Sequence, residues 1–485
     1  MFPPCMGVGS RRSAAVVSLL SGLLLVLSPA SAHAQAPAPV LDPAPAPTVV
    51  APPAPVPAAV PAEVATPAPA LPSVQAAEAA PAPTSASATT IAHGERDAAP
   101  NAVPEPAKPE EPKKETPWYE KIKIRGYTQF RYDRIPGVQR NDDLRNAQGD
   151  RFLGKDNGFG LRRARVIIYG DVHERVSIYL QPDFASVIGD QLNVAIMRDW
   201  YADLFILKDK SLRLRVGQSK VPYGFENMQS SQNRLSLDRS DSVNSAVKDE
   251  RDIGMFLYWA PPYIRDRFKH LVDSGLKGSG DYGVLAAGVY NGQTANRLAL
   301  ADNMHGVGRV AWPFKFGEQF VEVGAGGYYG RYTVNVDAAK GYVAEDKNVE
   351  DGRFFGSLIV YPQPFGFQAE GTYGTGPSVG ENETKRVETR RLFGGYAQLM
   401  YKIDNLFGTV ALIPYARGTY YEGGKKFDTN CPKHTVRELE LGIEWQLIKA
   451  LEITFAYDLA HREIVQEKPY DEKGQVGRVQ IQFNY

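Results

Sequence analysis

The sequence predicts an all-β protein, a transmembrane antiparallel β-barrel of about 16 strands, preceded by a signal peptide and a Pro/Ala-rich linker. Three observations lead to this fold class. Apolar and polar residues alternate with a period of two from about residue 117 onwards, which is the pattern of strands with one apolar face. The connections between these strands alternate between long and short, and no apolar run is long enough for a membrane-spanning helix.

Residues 1–34 have the pattern of an export signal. Arg11 and Arg12 supply positive charge, residues 14–27 supply a short apolar segment, and Ala32-His33-Ala34 supplies a small-x-small cleavage site. The apolar segment is shorter than the ~20 residues that a spanning helix needs. We therefore expect residues 1–34 to be cleaved during export.

Residues 35–116 are dominated by Pro and Ala, as in Pro37-Ala38-Pro39. Such a composition lacks the apolar spacing that a folded core requires and favours extended coil. We predict a disordered periplasmic linker in this region. It either acts as a spacer or adds an attachment to the cell envelope. Residues 117–485 then form the barrel.

The chain has 55 basic and 55 acidic residues, so its bulk charge gives no reason to expect nucleic acid as a partner. Any charge selectivity must come from the arrangement of the charges. Once the signal peptide is removed, Cys431 is the one cysteine left, so neither an intramolecular disulfide nor a cysteine metal site is expected.

The alternation predicts sixteen strands with uncertain ends. In the segment 439–447, for example, every odd-numbered residue is apolar. The predicted strands are 121–133, 159–173, 174–184, 194–207, 211–220, 252–260, 281–290, 305–314, 319–333, 352–361, 365–376, 389–402, 407–421, 434–447, 450–464 and 475–485.

The connections indicate which ends of the strands lie together. Outer-membrane barrels have short turns on the periplasmic side and long loops outside. One connection, 261–280, is longer than a periplasmic turn should be. The predicted long loops are 134–158, 185–193, 221–251, 291–304, 334–351, 377–388, 422–433 and 465–474. The expected location is therefore the outer membrane of a Gram-negative bacterium, with its lipids as neighbours.

The segment from Arg478 to Tyr485 is predicted to be the closing strand. We expect it to pair with the first strand, 121–133, because a sheet in lipid cannot leave an edge bare. Tyr485 would then lie at the periplasmic rim. It resembles the C-terminal aromatic signature of outer-membrane barrels, which implies the barrel insertion machinery as a partner.

Strand parity predicts which charged residues face the lumen. Sixteen strands leave an aqueous channel, although charges that pair across the lumen could instead fill it. The basic residues predicted to line the pore are Lys123, Arg125, Arg131, Arg163, Arg165, Arg213, Arg215 and Arg478. The acidic ones are Glu370, Glu438, Glu440 and Glu444. We hypothesise that anions follow the basic wall and that the acidic wall faces it.

The third long loop, 221–251, is the longest connection. Long loops on a rigid scaffold often carry function, and this one could fold inward and narrow the pore. Its charges are mixed, and its basic residues Arg234, Arg239 and Lys248 are candidates for a constriction.

Four segments resemble the outer-membrane porins of the phosphate- and polyphosphate-selective type (the O/P porins). They are Leu161-Arg162-Arg163-Ala164-Arg165, Arg215-Val216-Gly217-Gln218-Ser219-Lys220-Val221-Pro222-Tyr223-Gly224, Glu250-Arg251-Asp252-Ile253-Gly254 and Val289-Tyr290-Asn291-Gly292. The resemblance covers residues 117–485 and not the linker.

The resemblance implies a sixteen-stranded barrel that is usually a homotrimer, with an arginine ladder that draws phosphate through. Arg125, Arg163, Arg165, Arg213 and Arg215 could form that ladder. The implied function is passive diffusion of small anions such as phosphate or polyphosphate. The alternatives are a general small-solute porin with little anion selectivity, and a porin with an added tethering role through the linker.

Two enzyme-like signals lack their structural context. The segment from Gly376 to Gly380 fits a nucleophile elbow, but a charged loop follows it in place of a helix. A barrel enzyme would need a serine beside a histidine on the outer wall, and His461 is the candidate to test. The seven histidines lack metal-ligand spacing. We therefore expect no catalytic residues, no metal and no cofactor.

Overall fold

Sixteen long antiparallel strands close into a barrel. The computed structural model describes residues 117–134, 144, 158–188, 191–300, 304–380, 385–465 and 470–485. The predicted signal peptide (1–34) and linker (35–116) lie outside these residues, as does most of the first long loop. The described residues contain no helix with the length and apolar character needed to cross a membrane.

The barrel wall contains eighteen strands, two of which, β10 and β14, have only two residues each. The strands are β1 (Lys123–Arg134), β2 (Gly158–His173), β3 (Val176–Ile188), β4 (Gln191–Phe205), β5 (Leu212–Lys220), β6 (Arg251–Trp259), β7 (Leu285–Tyr290), β8 (His305–Phe316), β9 (Gln319–Thr333), β10 (Val343–Ala344), β11 (Asn348–Val360), β12 (Phe365–Val379), β13 (Arg386–Tyr401), β14 (Ile403–Asp404), β15 (Ala411–Gly424), β16 (Lys433–Ile448), β17 (Leu451–Val465) and β18 (Tyr470–Asn484). The α-helices are α1 (Asp241–Asn244) and α2 (Pro262–Asp273).

Alternation along the strands separates an apolar outside from a charged inside. In β16, Leu439, Leu441 and Ile443 are exposed on the outer face, whereas Glu440 and Glu444 are buried in the interior. A continuous apolar surface of this kind is costly in water and suits contact with lipid. The outer face therefore fits a barrel that spans a membrane.

The first and last strands close the barrel, as the sequence predicts. β1 pairs with β18 in an antiparallel register that runs from Tyr127 opposite Asn484 to Arg134 opposite Gly477. Tyr485 extends this pairing, because its backbone N–H donates to the carbonyl of Gly126 at 3.0 Å and its own carbonyl accepts from Gly126 at 2.6 Å. The closing strand is therefore held on both edges.

The prediction of a long loop over 185–193 is wrong. Strand β3 continues to Ile188, and β4 already begins at Gln191. The register between β3 and β4 shifts at three places after Gln181, which indicates bulges. Bulges break the alternation of apolar and polar residues, so the end of this hairpin has the sequence pattern of a loop.

The long connection between β6 and β7 contains α2 and enters the barrel. Ile264, Phe268 and Leu271 are buried on one face of this helix. They belong to one apolar cluster with side chains from the inner wall, including Phe320 and Ile359. A buried apolar helix face explains why this connection is longer than a periplasmic turn.

The third long loop also enters the barrel. Its first residues, among them Val221, Tyr223 and Phe225, are completely buried. The ring of Tyr223 packs edge-on against Tyr328 and Phe355 of the inner wall, with ring centroids 5.1 Å apart in each pair. The third loop therefore folds inward, and among the described residues two segments are inserted into the barrel interior.

Candidate functional site

The third loop is attached to the inner wall at its first turn. Gly224 has a φ of +75°, which favours glycine, and a Cβ there would lie 2.2 Å from Oε1 of Glu370. Oε2 of Glu370 accepts hydrogen bonds from the backbone N–H groups of Phe225 at 3.0 Å and Glu226 at 2.9 Å. Glu370 thus binds the loop backbone and is itself almost fully buried.

Further along, charged groups of the third loop pair with β15, β17 and β18. Glu226 pairs with Arg417 at 2.8 Å, and Asp241 pairs with Arg462 at 3.7 Å. Asp238 pairs with Arg478. These ion pairs place the loop against the side of the barrel on which the sequence predicts the acidic wall.

The predicted acidic pore residues hold these inserted segments or pair with the wall. Oε2 of Glu440 accepts a hydrogen bond from Ser236 of the loop at 2.7 Å. Glu438 pairs with Arg462 on the neighbouring strand. Glu444 pairs with Lys277, which follows α2 in the other inserted segment. Glu438 and Glu440 line a cavity of only about 20 Å³ on this side of the loop.

A cavity of about 50 Å³ lies between the third loop and the opposite wall, toward the long loops. We call it the upper cavity. Its charged lining consists of seven arginines and three carboxylates. The arginines are Arg162, Arg163, Arg165, Arg198, Arg234, Arg239 and Arg251, and the carboxylates are Asp238, Asp249 and Glu250. Positive side chains therefore outnumber negative ones at this position.

Most of these arginines have a carboxylate partner. Arg165 pairs with Asp183 at 2.9 Å, and Arg198 pairs with Asp249 at 3.1 Å. Arg163 differs, because its guanidinium donates to the amide oxygen of Gln129 at 2.7 Å. Within the described part of the chain, Arg163 has no ion pair with a carboxylate.

A larger cavity of about 340 Å³ lies below the upper one, toward the short turns. We call it the lower cavity. Arg251 lines both cavities, so the two meet at this residue. The charged side chains of the lower cavity are Arg125, Asp199, Arg215, Lys220, Arg251 and Asp281, and its aromatic side chains are Tyr179, Tyr201 and Tyr282.

Glu250 and Lys220 connect the loop to the wall where the cavities meet. Lys220 donates to the backbone carbonyls of Asn227 and Gln229, both at 2.8 Å, and pairs with Glu250 at 3.3 Å. Burial raises the pKa of Glu250, but attraction to Lys220, Arg251 and Arg239 outweighs burial and holds that pKa well below its usual range. Glu250 is therefore ionised at neutral pH and neutralises part of the positive charge here.

The loop also contacts the first two strands. Oγ of Ser231 lies 2.7 Å from the hydroxyl oxygen of Tyr127, and Arg165 donates to the same hydroxyl at 2.9 Å. Gln129 donates to the carbonyl of Ser231 at 3.0 Å. The loop thus spans the interior between two walls and narrows the space beside the arginines.

The remaining predicted basic residues of the wall differ in how accessible they are. Lys123 and Arg125 are exposed near the short turns. Arg131 is 1 % exposed and donates to Gln480 at 2.7 Å. Arg213, also buried, pairs with Asp281 at 2.8 Å.

Two further predicted basic residues lie away from the upper and lower cavities. Arg478 is buried among Asp133, Asp238 and Asp458. Lys248 is half-buried, and its backbone carbonyl accepts a hydrogen bond from Thr294. The upper cavity therefore contains Arg163, Arg165, Arg234 and Arg239 of the predicted set, and the lower cavity contains Arg125 and Arg215.

Sequence reasoning missed Arg198, Lys220 and Arg251. Gly217 in β5 has a φ of +125°. Beyond it, Gln218 and Lys220 are buried, although Arg213 and Arg215 set the opposite parity. The pairing of β5 with β4 and β6 has no register shift at Gly217, so only the glycine inside the strand marked this position as irregular in the sequence.

The enzyme-like signals occupy ordinary strand positions. The segment from Gly376 to Val379 is part of β12, and among the described residues the next element is β13. His461 lies on β17, where its Nε2 is 2.7 Å from Asp471 and 3.4 Å from Glu463. Arg437 pairs with the same Glu463 at 2.7 Å, which places a positive charge in this group.

Comparison with known proteins identifies the family. Three similar solved structures are the outer membrane channel DcaP of Acinetobacter baumannii (11 % identity, TM-score 0.45, 75 % of this chain and 97 % of that one), an anion-selective porin from Comamonas acidovorans (12 %, 0.44, 75 % and 99 %) and OmpF of Salmonella typhi in complex with daunomycin (10 %, 0.44, 75 % and 97 %). With TM-scores below 0.5 they add nothing to the assignment, and a search of curated proteins finds no match. A family model described as phosphate-selective porin O and P matches residues 137–485, well over half of the chain. The protein is therefore an outer-membrane porin that belongs to the phosphate-selective porin O and P family.

Proposed function

We propose that the protein carries small anions, such as phosphate or polyphosphate, by passive diffusion through the upper and lower cavities. The upper cavity supports this proposal most directly, because seven arginines and three carboxylates line it. An excess of positive charge in a narrow, low-dielectric space raises the local concentration of anions. Guanidinium groups also match phosphate and carboxylate through their planar donor fork.

Two arginines that line these cavities contact neutral amides. Arg163 is bonded to a neutral amide in the upper cavity. Arg125, in the lower cavity, donates to the amide oxygen of Gln232 at 3.5 Å. Neither has an ion pair with a carboxylate among the described residues. They therefore provide two steps of an arginine path, one above and one below Arg251.

A general small-solute porin with little anion selectivity is the second candidate. The pairing of Arg165, Arg198, Arg213 and Arg251 with aspartates favours it, because paired charges contribute little net field. The two candidates differ in the chloride-to-potassium permeability ratio.

The deciding experiment measures the reversal potential of the purified protein in a planar bilayer under a KCl gradient. We expect a chloride-favouring value. Arg163→Gln and Arg125→Gln should each lower the permeability ratio roughly twofold to fivefold, as expected for one charge removed a few ångströms from a hydrated ion. Arg391→Gln, an exposed arginine on β13, is the matched control and should change nothing. A ratio near one that neither substitution alters would favour the general porin.

The assembly proposed for the protein is a homotrimer, inserted by the barrel machinery through Tyr485. The ring of Tyr485 is exposed at the end of the closing strand, which supports its recognition by the insertion machinery. Chemical cross-linking in native outer membranes should give a species of three chains, and a Tyr485→Ala variant should assemble more slowly. A cross-linked product limited to one chain would refute the trimer.

The proposed roles of the N-terminal segments are export for residues 1–34 and a periplasmic spacer for residues 35–116. N-terminal sequencing of the mature protein tests the cleavage after Ala34. Deletion of 35–116 tests the spacer. Unchanged conductance with unchanged envelope attachment would support it, whereas lost attachment with unchanged conductance would show tethering as an added role.

A further inference from the structure

The lower cavity has an aromatic wall that a path for inorganic anions does not require. Tyr169, Tyr179 and Tyr201 occupy directly opposite positions on β2, β3 and β4. The centroids of the first pair of rings are 6.3 Å apart, and those of the second pair are 5.0 Å apart with planes at 9°. The tyrosines therefore form a row across three strands at one height of the barrel.

A guanidinium lies at each end of this row. Cζ of Arg125 is 5.6 Å from the ring centroid of Tyr169, and Cζ of Arg215 is 3.7 Å from that of Tyr201. The faces of Tyr179 and Tyr201 stack on each other, which leaves ring edges and hydroxyl groups for the cavity. Tyr282, from the segment that contains α2, adds a further ring to the lining.

Among the described residues, one cation of the lower cavity is not neutralised by a carboxylate, so an added anion could pair with it. Its two carboxylates are already paired, Asp199 with Arg251 at 2.9 Å and Asp281 with Arg213 at 2.8 Å. Arg215 is held by both oxygens of Asp203. Arg125 is the lining cation that, in the described part of the chain, lacks a carboxylate partner.

We propose that the lower cavity binds aromatic carboxylates, and this inference rests on the anion path proposed above. The positive edge of an aromatic ring attracts the face of another ring, so the edges of Tyr179 and Tyr201 can hold a planar ring. A carboxylate on that ring then reaches the guanidinium of Arg125. A cavity of about 340 Å³ accommodates such a molecule, whereas inorganic phosphate would use only the cations.

The test compares four anions as blockers of the chloride current through the full-length protein in a planar bilayer. Benzoate is compared with cyclohexanecarboxylate, which has the same charge and nearly the same size but no aromatic ring, and with acetate and inorganic phosphate. We expect benzoate to halve the current at about one tenth of the cyclohexanecarboxylate concentration, the ratio expected for one favourable aromatic contact.

Substitutions locate the binding. Tyr179→Leu and Tyr201→Leu should abolish the preference for benzoate over cyclohexanecarboxylate. Tyr373→Leu is the matched control, because Tyr373 lies on β12 with its ring exposed outside the barrel, and it should retain the preference. Arg125→Gln should weaken the block by benzoate and cyclohexanecarboxylate alike.

Equal half-blocking concentrations of benzoate and cyclohexanecarboxylate in the unmodified protein would overturn the inference, and this comparison does not depend on whether any variant folds. A chloride-favouring reversal potential in that same experiment would leave the anion path standing. A cation-favouring reversal potential would overturn both.

Discussion

Arg198 and Asp199 show how single residues depart from strand parity. Both are buried inside the barrel although they are neighbours in sequence. In the pairing of β3 with β4, Gln181 lies opposite Asp199 and Pro182 lies opposite Met197. Arg198 therefore has no residue directly opposite it on β3. A bulge of this kind turns an extra side chain inward. Strand parity assigns only one of two neighbouring residues to the lumen. For this reason Arg198, which pairs with Asp249, was not predicted to face inward.

A side chain at Gly126 should destabilise the closing seam of the barrel. A Cβ at this position would lie 2.4 Å from the carbonyl oxygen of Arg165 and 2.5 Å from Cε2 of Tyr485. Gly126→Ala must therefore displace β2 or the ring of Tyr485 at the closing seam. We expect it to lower the free energy of unfolding by about 1–3 kcal/mol, the usual effect of overpacking.

Thermal unfolding in detergent, followed by circular dichroism, measures this effect. Gly371→Ala is the control, because Gly371 also lies in a strand but has open space where its Cβ would be. If both variants unfold at the same temperature as the parent, the seam does not depend on close packing at Gly126.

At the scale of elements, the third loop acts as a separate part that is held against the wall by polar contacts. Glu370 fixes its beginning, and Arg417 and Arg478 pair with acidic groups further along it. These contacts give the acidic wall a different role from the one the sequence suggests. The loop lies between that wall and the arginine-lined cavities, so the acidic groups mainly hold the loop.

Removal of the Glu370 carboxylate should loosen the loop. Glu370→Ala leaves the buried N–H groups of Phe225 and Glu226 without their acceptor, which costs about 1–3 kcal/mol for each unsatisfied group. We expect larger and noisier single-channel currents together with a lower unfolding temperature. Glu318→Ala, in the exposed turn between β8 and β9, is the control. Quiet currents of parental size from Glu370→Ala would show that other contacts suffice to hold the loop.

At the scale of the whole molecule, two inserted segments occupy the interior from opposite ends. Gln229 of the third loop donates to the backbone carbonyl of Lys277 at 2.8 Å, so the segments contact each other. The side chain of Lys277 in turn pairs with Glu444 on β16. The upper and lower cavities lie beside β1 to β6, whereas the cavity beside Glu438 and Glu440 has only about 20 Å³.

The pair of Lys277 and Glu444 links one inserted segment to the wall, and both side chains are nearly buried. Lys277→Met should lower the free energy of unfolding by about 3–5 kcal/mol, because it leaves a buried carboxylate unpaired. The double variant Lys277→Met with Glu444→Gln should recover much of this loss, since no uncompensated charge remains. Chemical unfolding in detergent measures both. Equal losses in the single and double variants would contradict a role for the unpaired charge.

The barrel itself is predictable from the sequence because it depends on the alternation of neighbouring residues along each strand. Side-chain direction alternates along every strand, so the residues of 439–447 alone show which face meets lipid and which faces inward. The closing strand follows from the same alternation and from the need to leave no edge in lipid. For this reason the strand order and the seam at Tyr485 agree with the structure.

The positions of the upper and lower cavities inside the barrel follow from tertiary contacts. Whether the third loop and the segment with α2 enter the barrel depends on contacts such as Phe225 N–H to Glu370 and Lys277 to Glu444, whose partners are more than a hundred residues apart in sequence. No local pattern encodes such pairs. The bulge at Arg198 then turns one more cation toward the upper cavity. The sequence alone predicts a charged barrel, whereas long-range pairs place the arginine side, and not the acidic one, along the upper and lower cavities.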